Sequence, residues 1–170
     1  LEFLLEQAES SVRDDADGPA GRIQVIATTH SPNLASAVGI ENVVVLRSVD
    51  QVHDEETHLG TAALALASIE MGDSDRRKIN QYLDVTRSEL LFARKVVLVE
   101  GVGEAVLLPA LARHCVLKDH EVGPRLKRAF RAASIINIGS VDFLPYLRLL
   151  LTSVNGVRLV DRVIAITDAD

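Results

Sequence analysis

The apolar residues of this chain fall into short runs separated by longer amphipathic stretches, and this pattern predicts alternating strands and helices. Five runs are typical of strands, because they are short, rich in Val, Ile and Leu, and bounded by polar or Gly-containing turns. The predicted strands are Arg22–Thr28, Asn42–Arg47, Lys95–Val99, Ser134–Ile138 and Arg162–Thr167. Nearly continuous apolar runs are typical of parallel strands covered on both faces. The sequence therefore predicts an α/β fold with a parallel sheet and helices on both of its faces.

Helices are predicted between these strands, where apolar residues recur every three to four positions. The predicted helices are Leu1–Val12, Pro32–Val38, Thr61–Met71, Asp75–Phe92, Gly103–His114 and Asp142–Leu151. Polar loops are predicted at 13–21 and 50–57. The segment 51–93 is thus predicted to be a mainly helical connector between two α/β parts.

Composition limits the class of protein. The chain has 170 residues, of which 48% are hydrophobic, which is enough for a real core. No stretch approaches the roughly 20 apolar residues of a membrane span, and no signal peptide is visible. Cys115 is the single cysteine, which excludes an internal disulfide. We therefore expect a cytoplasmic protein with no membrane partner and, since the chain begins without Met, a fragment of a longer one.

Charge is distributed unevenly along the chain. The net charge of −6 argues against a surface built generally for nucleic acid. The segment Arg113–Arg131 is nevertheless basic, with few acids among its cations. These cations are Arg113, Lys118, Arg125, Lys127, Arg128 and Arg131. Such a run is typical of a solvated helix face, but it also suits contacts with phosphates, and the sequence leaves both interpretations open.

Acidic residues stand directly after two of the predicted strands. Glu100 follows Lys95–Val99, and Glu104 comes four residues later, after a turn with two glycines. Asp168 and Asp170 follow the last predicted strand, and residues two apart on an extended chain point the same way. Because parallel sheets gather functional groups at the carboxyl ends of their strands, we expect these four acids to lie together.

Four carboxylates in one place repel each other unless a cation neutralises them. Mg²⁺ or Mn²⁺ is the natural partner, because hard cations prefer oxygen ligands. Two such ions about 4 Å apart can clamp the attacking and leaving oxygens of a phosphodiester. Each acid alone also fits an ordinary role, because acids after strands often cap the next helix. Glu104 in particular is placed where the dipole of that helix favours negative charge. The four acids in this order favour a metal site.

The same residues resemble a known family. Val97-Leu-Val-Glu-Gly101 followed by Asp168-Ala-Asp170 is similar to the TOPRIM domain of topoisomerases, primases and related nucleases. Residues 90–111 resemble the OLD-family ATP-dependent endonucleases, and 136–140 resemble the segment before the DxD strand in that family. The resemblance implies a Rossmann-like TOPRIM domain over 94–170, truncated at its C-terminus.

The resemblance also implies roles for the four acids. Glu100 would be a metal ligand or general base, and Glu104 would help to hold a second metal. Asp168 and Asp170 would bind the first metal. The implied cofactor is Mg²⁺ or Mn²⁺, and the implied partner is DNA.

A histidine after the first predicted strand is a second candidate site. His30 precedes Ser31-Pro32, where Ser31 is placed to cap a helix and Pro32 suits its first turn. A lone histidine there is more often structural than ligand-binding. The string Thr29-His-Ser-Pro-Asn-Leu34, however, resembles the switch-histidine loop of ABC-type ATPases, which implies that His30 senses the γ-phosphate of ATP.

Other parts of such an ATPase are absent from the sequence. It contains no G-x-x-x-x-G-K-[ST] phosphate loop, no signature motif and no apolar run ending in Asp-Glu before His30. ATP is therefore expected only in the full-length parent protein. The predicted domains are the C-terminal tail of an ABC-type ATPase domain over 1–50, the helical connector over 51–93 and the TOPRIM domain over 94–170.

The function predicted from these features is that of a fragment of an ATP-dependent DNA endonuclease, which cleaves phosphodiesters at a TOPRIM two-metal site. The resemblance implies that the parent protein is a homodimer. Two alternatives stay open. One is a TOPRIM module that binds DNA through Arg113–Arg131 without chemistry, and the other is an inactive, truncated ATPase-nuclease.

Overall fold

The computed structural model describes residues 2–13, 23–53, 56–83, 87–118 and 123–168. Its helices are α1 (Glu2–Arg13), α2 (Pro32–Ala35), α3 (Asp73–Tyr82), α4 (Val102–Leu111), α5 (Pro124–Arg131) and α6 (Leu144–Leu151). Its strands are β1 (Val44–His53), β2 (Glu56–Ala65), β3 (Lys95–Val99), β4 (Ser134–Asn137) and β5 (Arg162–Ile166). Short 3₁₀ turns lie at Ile40–Asn42, Leu66–Ser68 and Arg87–Leu91, and a π-helical turn, Ala112–Val116, follows α4.

A three-stranded parallel sheet, in the order β4-β3-β5, organises the C-terminal half. The register aligns the last residue of β3, Val99, with Asn137 of β4 and with Ile166 of β5. The Ile138 N–H continues the ladder by donating to the Val99 carbonyl oxygen at 2.9 Å. All three strands therefore end at one edge of the sheet. The predicted parallel sheet and its three C-terminal strands are confirmed.

Both faces of β3 are covered. Side chains alternate between the two faces of a strand, so neighbouring residues of β3 report on opposite faces. Val96 and Leu98 belong to the main hydrophobic core. Val97 and Val99 point to the opposite face and are also buried, with α4 packed against β3 and β4. The main core is completed by side chains from β2, α3, β4, α6 and the turns between them. They include Leu64, Leu66, Ile69, Ile79, Leu90, Ile136, Leu149 and Leu150. The prediction of helices on both faces is confirmed.

The N-terminal α/β unit is only partly as predicted. The helix at the start is confirmed as α1, but residues 23–30 form no strand, and Ile23 and Ile26 are exposed. A strand requires a neighbour that takes up its backbone hydrogen bonds, and no other described segment pairs with this one. The helix predicted to begin at Pro32 is confirmed but ends at Ala35. Most of the predicted loop at 13–21 lies outside the described residues.

The predicted helical connector is wrong in its first half. There β1 extends to His53, and β2 pairs with it in antiparallel fashion from Val44–Ala65 to His53–Glu56. The predicted helix Thr61–Met71 is therefore replaced by the end of β2, up to Ala65, and by the 3₁₀ turn Leu66–Ser68. Alanine and leucine are good helix formers, but helix propensity contributes little energy per residue. Strand pairing along ten residues overrides that preference.

The second half of the connector is helical but divided. The predicted helix Asp75–Phe92 is replaced by α3 and by the 3₁₀ turn Arg87–Leu91, and residues between them lie outside the described ranges. Arg148 of α6 forms an ion pair with Asp75 of α3, so α3 of the connector contacts a helix that covers the parallel sheet. Among the helices that the structure describes, none is long and apolar enough to cross a membrane.

Candidate metal centre

Strand β3 carries Glu100 to the edge where the parallel strands end. The buried run Val96–Val99 fixes the strand in the sheet, and Glu100 is its first following residue, half-buried. The chain then leaves the sheet at Gly101, which is the N-cap of α4. In the described part of the chain, the Glu100 carboxylate forms neither a hydrogen bond nor an ion pair. Its oxygens are therefore available to a cation.

The turn after Glu100 folds Glu104 back toward the strand end. The Gly101 N–H donates a hydrogen bond to Glu104 Oε2 at 3.0 Å. A Cβ on residue 101 would lie 3.0 Å from the same oxygen, so glycine leaves room for this contact. The bond satisfies an N–H at the start of α4 and makes Glu104 a helix-capping residue, which is the ordinary role that the sequence left open. Its role as ligand of a second metal stays a prediction.

Strand β5 brings Asp168 to the same edge. Ile166 is the register partner of Val99, so Glu100 stands one residue and Asp168 two residues beyond that pair. Thr167 Oγ1 donates to the Asp168 carbonyl oxygen at 2.9 Å, which steadies the chain there. The Asp168 side chain is exposed and has no partner among the residues that the structure describes. Asp170 lies outside those residues, and its place beside Asp168 stays a prediction.

The donor set suits a hard divalent cation. The candidates at this edge are carboxylates, whose oxygens are the ligands that Mg²⁺ and Mn²⁺ prefer. Within the described ranges, no three acidic, His or Cys side chains form a ready-made metal cluster. Mg²⁺ does not require one, since it usually takes one or two carboxylates and keeps waters and substrate phosphates as its other ligands. Glu100 and Asp168 are the described residues that would hold it.

Strand β4 contributes a polar residue that the sequence analysis did not assign. Asn137 ends the apolar run of β4 opposite Val99, at the same edge as Glu100. Its Oδ1 accepts a hydrogen bond from the Gly139 N–H at 2.8 Å, and Gly139 has a positive φ of 70°. The sequence does carry a signal for Asn137. It is a polar residue at the end of an apolar run, two positions before a glycine. Each strand of the sheet thus ends with a polar side chain at or just beyond this edge.

His30 lies in a different region. It is exposed and lines a groove of about 730 Å³ between α1, the segment before α2, and β1. Neither Glu100, Glu104 nor Asp168, the sheet-edge carboxylates that the structure describes, lines this groove. Ser31 is the N-cap of α2 and Pro32 is in its first turn, as predicted, but the Ser31 side chain makes no capping bond. Instead, the Ser31 N–H donates to Thr29 Oγ1 at 2.9 Å, which shapes the backbone beside His30.

Comparison with known proteins identifies the C-terminal part of the chain. Residues 91–170 match the family model described as "Overcoming lysogenization defect protein-like, TOPRIM domain". The matched segment contains all four predicted carboxylates. No curated protein and no solved structure matches the chain significantly. The match does not reach His30, so the ATPase tail predicted for the N-terminal part stays a prediction.

Proposed function

Because residues 91–170 are a TOPRIM domain of the overcoming-lysogenization-defect-like (OLD-like) family, we propose that this chain is part of a divalent-metal-dependent DNA endonuclease. TOPRIM domains generally bind divalent metals such as Mg²⁺. The observation that carries the proposal is the shared edge of β3 and β5, where Glu100 and Asp168 follow two paired strands. The family and the topology support nucleic acid processing at that edge.

The proposed roles follow from how each side chain is held. Glu100 and Asp168 hold the metal, and Asp170 joins them from the alternate position on the same extended segment. A metal held there would neutralise charge at the phosphate and would make a bound water more acidic. Glu100 is also the best-placed described general base, because it is half-buried and its carboxylate is not engaged elsewhere. Glu104 would offer its other carboxylate oxygen to a second metal, while its Oε2 accepts the hydrogen bond from the Gly101 N–H.

ATP is proposed as a cofactor of the parent protein only, with His30 as a sensor of its γ-phosphate. The exposed His30 ring at the mouth of a groove supports contact with a group from outside the segment. In the parent protein, His30→Ala should lower the rate of ATP hydrolysis. It should leave the metal-dependent cleavage of DNA in the absence of ATP unchanged. Equal ATP hydrolysis by the variant and the wild type would contradict this role.

The endonuclease proposal is tested by nicking of supercoiled plasmid DNA with the parent protein and Mn²⁺. Glu100→Gln and Asp168→Asn preserve size but remove a negative charge from the site. We expect each to lower the cleavage rate by about 100-fold or more, since the loss of one positioned catalytic group typically costs 10²–10⁴-fold.

Matched controls come from exposed acids elsewhere in the chain. Glu70→Gln and Asp50→Asn make the same chemical changes at exposed positions outside the TOPRIM match. They should cut at the wild-type rate. If Glu100→Gln and Asp168→Asn cut as fast as these controls, the proposed site is wrong.

A second candidate, a DNA-binding module without chemistry, is favoured by one observation. Helix α5 carries four cations, and among the described residues none of them forms an ion pair or a hydrogen bond with a side chain. They are Arg125, Lys127, Arg128 and Arg131. Unpaired cations on one short helix suit contacts with phosphates. DNA binding that requires these cations, together with no Mn²⁺ binding by calorimetry, would favour this candidate over the endonuclease.

A further inference from the structure

Three arginines line a small cavity near the amino ends of the parallel strands, at the opposite end of the sheet from the candidate metal centre. Arg47 of β1, Arg94 just before β3, and Arg158 line a cavity of about 180 Å³ together with Asp161. Among the described residues of its lining, Asp161 is the only acid. Five residues of β3 separate Arg94 from Glu100, and the six steps along the strand correspond to roughly 20 Å. The cavity is therefore separate from the carboxylate edge.

Several guanidinium donors of this cluster have no hydrogen-bond acceptor among the described residues. Arg47 donates from one terminal nitrogen to the Ala93 carbonyl oxygen at 2.7 Å, but its Nε is buried and has no acceptor among the described residues. A buried donor without a partner is destabilising, so an acceptor at this place would be stabilising. Arg158 is exposed and has no hydrogen-bond or ion-pair partner in the described part of the chain.

Negative charge within the cluster only partly balances the positive charge. Arg94 Nε lies 3.0 Å from Asp161 Oδ2, and this ion pair is half-exposed. Burial lowers the pKa of the Arg47 guanidinium, the charge of Arg94 lowers it further, and Asp161 raises it. Three cations against one anion leave the cavity with an excess of positive charge.

The backbone around the cavity is held in place on both sides. The Asp161 and Arg162 N–H groups both donate to the Arg94 carbonyl oxygen, at 2.8 and 3.3 Å. Before Arg158, Val154 and Val157 form a two-residue hairpin with N–H to carbonyl distances of 2.9 and 3.0 Å. Its central residues, Asn155 and Gly156, have positive φ angles of 52° and 79°, as in a type I′ turn. Such a short paired turn fixes the position from which Arg158 reaches the cavity.

We infer that this cluster, formed by Arg47, Arg94 and Arg158, is a binding site for a phosphate group. Arginine donors suit the oxygens of phosphate, and charge-assisted bonds of this kind are stronger than neutral ones. The cavity is smaller than the roughly 300 Å³ at which pockets for drug-sized ligands begin. It therefore suits one phosphate group and not a whole nucleotide. The group would be either a free phosphate or one phosphodiester of a DNA strand.

The test is isothermal titration calorimetry of the 170-residue chain with two probes, inorganic phosphate and a single-stranded oligothymidylate. EDTA is present throughout, so that the result does not depend on the carboxylate edge or on the proposed nuclease activity. We expect saturable binding of at least one probe. Arg158→Gln should weaken it by roughly ten-fold or more, because the variant loses a charge-assisted hydrogen bond to the phosphate.

Two further variants make the test independent of folding defects. Arg77→Gln removes the same charge from an exposed site on α3 and should bind each probe like the wild type. Asp161→Asn removes the anion from the cavity and releases Arg94 from its ion pair, so it should tighten binding by roughly two- to five-fold. A gain of affinity cannot come from partial unfolding.

The outcomes distinguish the two sources of the phosphate. Binding of inorganic phosphate that depends on Arg158 assigns the site to a free phosphate. Binding of the oligothymidylate alone with the same dependence assigns it to a phosphodiester. If neither probe binds saturably, or if Arg158→Gln and Asp161→Asn both bind like Arg77→Gln, the inference is wrong.

Discussion

Glu104 shows how one carboxylate can serve both folding and metal binding. Its Oε2 accepts the Gly101 N–H bond that starts α4, and this places the side chain beside the residue that follows Glu100. The sequence left helix capping and metal binding open for Glu104. Capping is confirmed by this bond, but it does not exclude metal binding, because a carboxylate has two oxygens and about four lone-pair sites.

Two substitutions of Glu104 should separate these roles. Glu104→Gln keeps an oxygen that can accept the Gly101 N–H bond, so the free energy of unfolding should change by less than about 0.5 kcal/mol. Glu104→Ala loses the bond and should cost about 1 kcal/mol. Both variants should bind fewer Mn²⁺ ions than the wild type, measured by calorimetry beside urea unfolding. If Glu104→Gln binds Mn²⁺ like the wild type, Glu104 is a capping residue alone.

Glu41 carries a pH-dependent contact at the residue scale. Asn80 of α3 donates to Glu41 Oε2 at 3.0 Å and accepts the Ile40 N–H bond at 2.9 Å. The bond from Asn80 lowers the pKa of Glu41 below its usual 4.5, with help from a backbone hydrogen bond of Glu41 itself. A lowered folded pKa means that this stabilisation is present above about pH 4.5 and is lost as the pH falls through the folded value.

Comparison of the wild type with Glu41→Gln in urea unfolding from about pH 3 to pH 7 tests this contact. The wild type should be more stable by about 0.5 kcal/mol above pH 5, a modest value because the carboxylate is largely solvated. The difference should shrink as the pH falls below the usual pKa of 4.5. A difference that stays constant over the whole range would contradict the assignment.

At the scale of elements, the accuracy of the sequence prediction depended on whether a segment's partners could be inferred locally. The strand Lys95–Val99 was predicted correctly because a run of four apolar residues is buried on both faces whatever its neighbours are. The segment Thr61–Met71 was predicted wrongly, because an Ala- and Leu-rich run fits a helix as well as a strand. Its structure was decided by pairing with β1, in which Val44 is the partner of Ala65, about 20 positions later in the sequence. Such a distant partner leaves no signal in the local sequence.

The hairpin of β1 and β2 provides a direct check on this correction. Leu59 and Leu64 both lie in β2 but on opposite faces, with exposed fractions of 78% and 0%. Leu64→Ala should cost about 2–5 kcal/mol in the free energy of unfolding, because it leaves a cavity in the core. Leu59→Ala is the matched control and should change stability by less than about 0.5 kcal/mol. Similar losses for the two variants would contradict the strand assignment of β2.

At the scale of the whole molecule, the two ends of the parallel sheet have opposite chemistry. Glu100 and Asp168 follow the carboxyl ends of β3 and β5, whereas Arg94 and Asp161 precede their amino ends. Sequence order and the rule for parallel strands were enough to predict the acidic edge. The arginine cluster could not be predicted, because Arg47 comes from the distant strand β1 and reaches Arg94 only through the packing of the hairpin.

The acidic edge should make the stability of the whole chain depend on divalent metal. Carboxylates held near each other without a partner repel in the folded state. An ion that binds only the folded chain relieves this repulsion, and it stabilises the fold by about 2.7 kcal/mol when the ion concentration is 100 times its Kd. Mn²⁺ should therefore raise the Tm by several degrees, roughly 4 °C or less per kcal/mol at this chain length. EDTA should reverse the shift.

Differential scanning fluorimetry of the chain, with and without Mn²⁺, measures this effect. Asp168→Asn and Glu100→Gln should each reduce the shift by more than half, whereas Asp50→Asn, an exposed acid on the hairpin, should keep it. Without metal, the first two variants should be as stable as the wild type or more so, because each removes a charge from a group of like charges. An equal Mn²⁺ shift in all three variants would place the bound metal elsewhere in the chain and remove the physical basis for the proposed nuclease site.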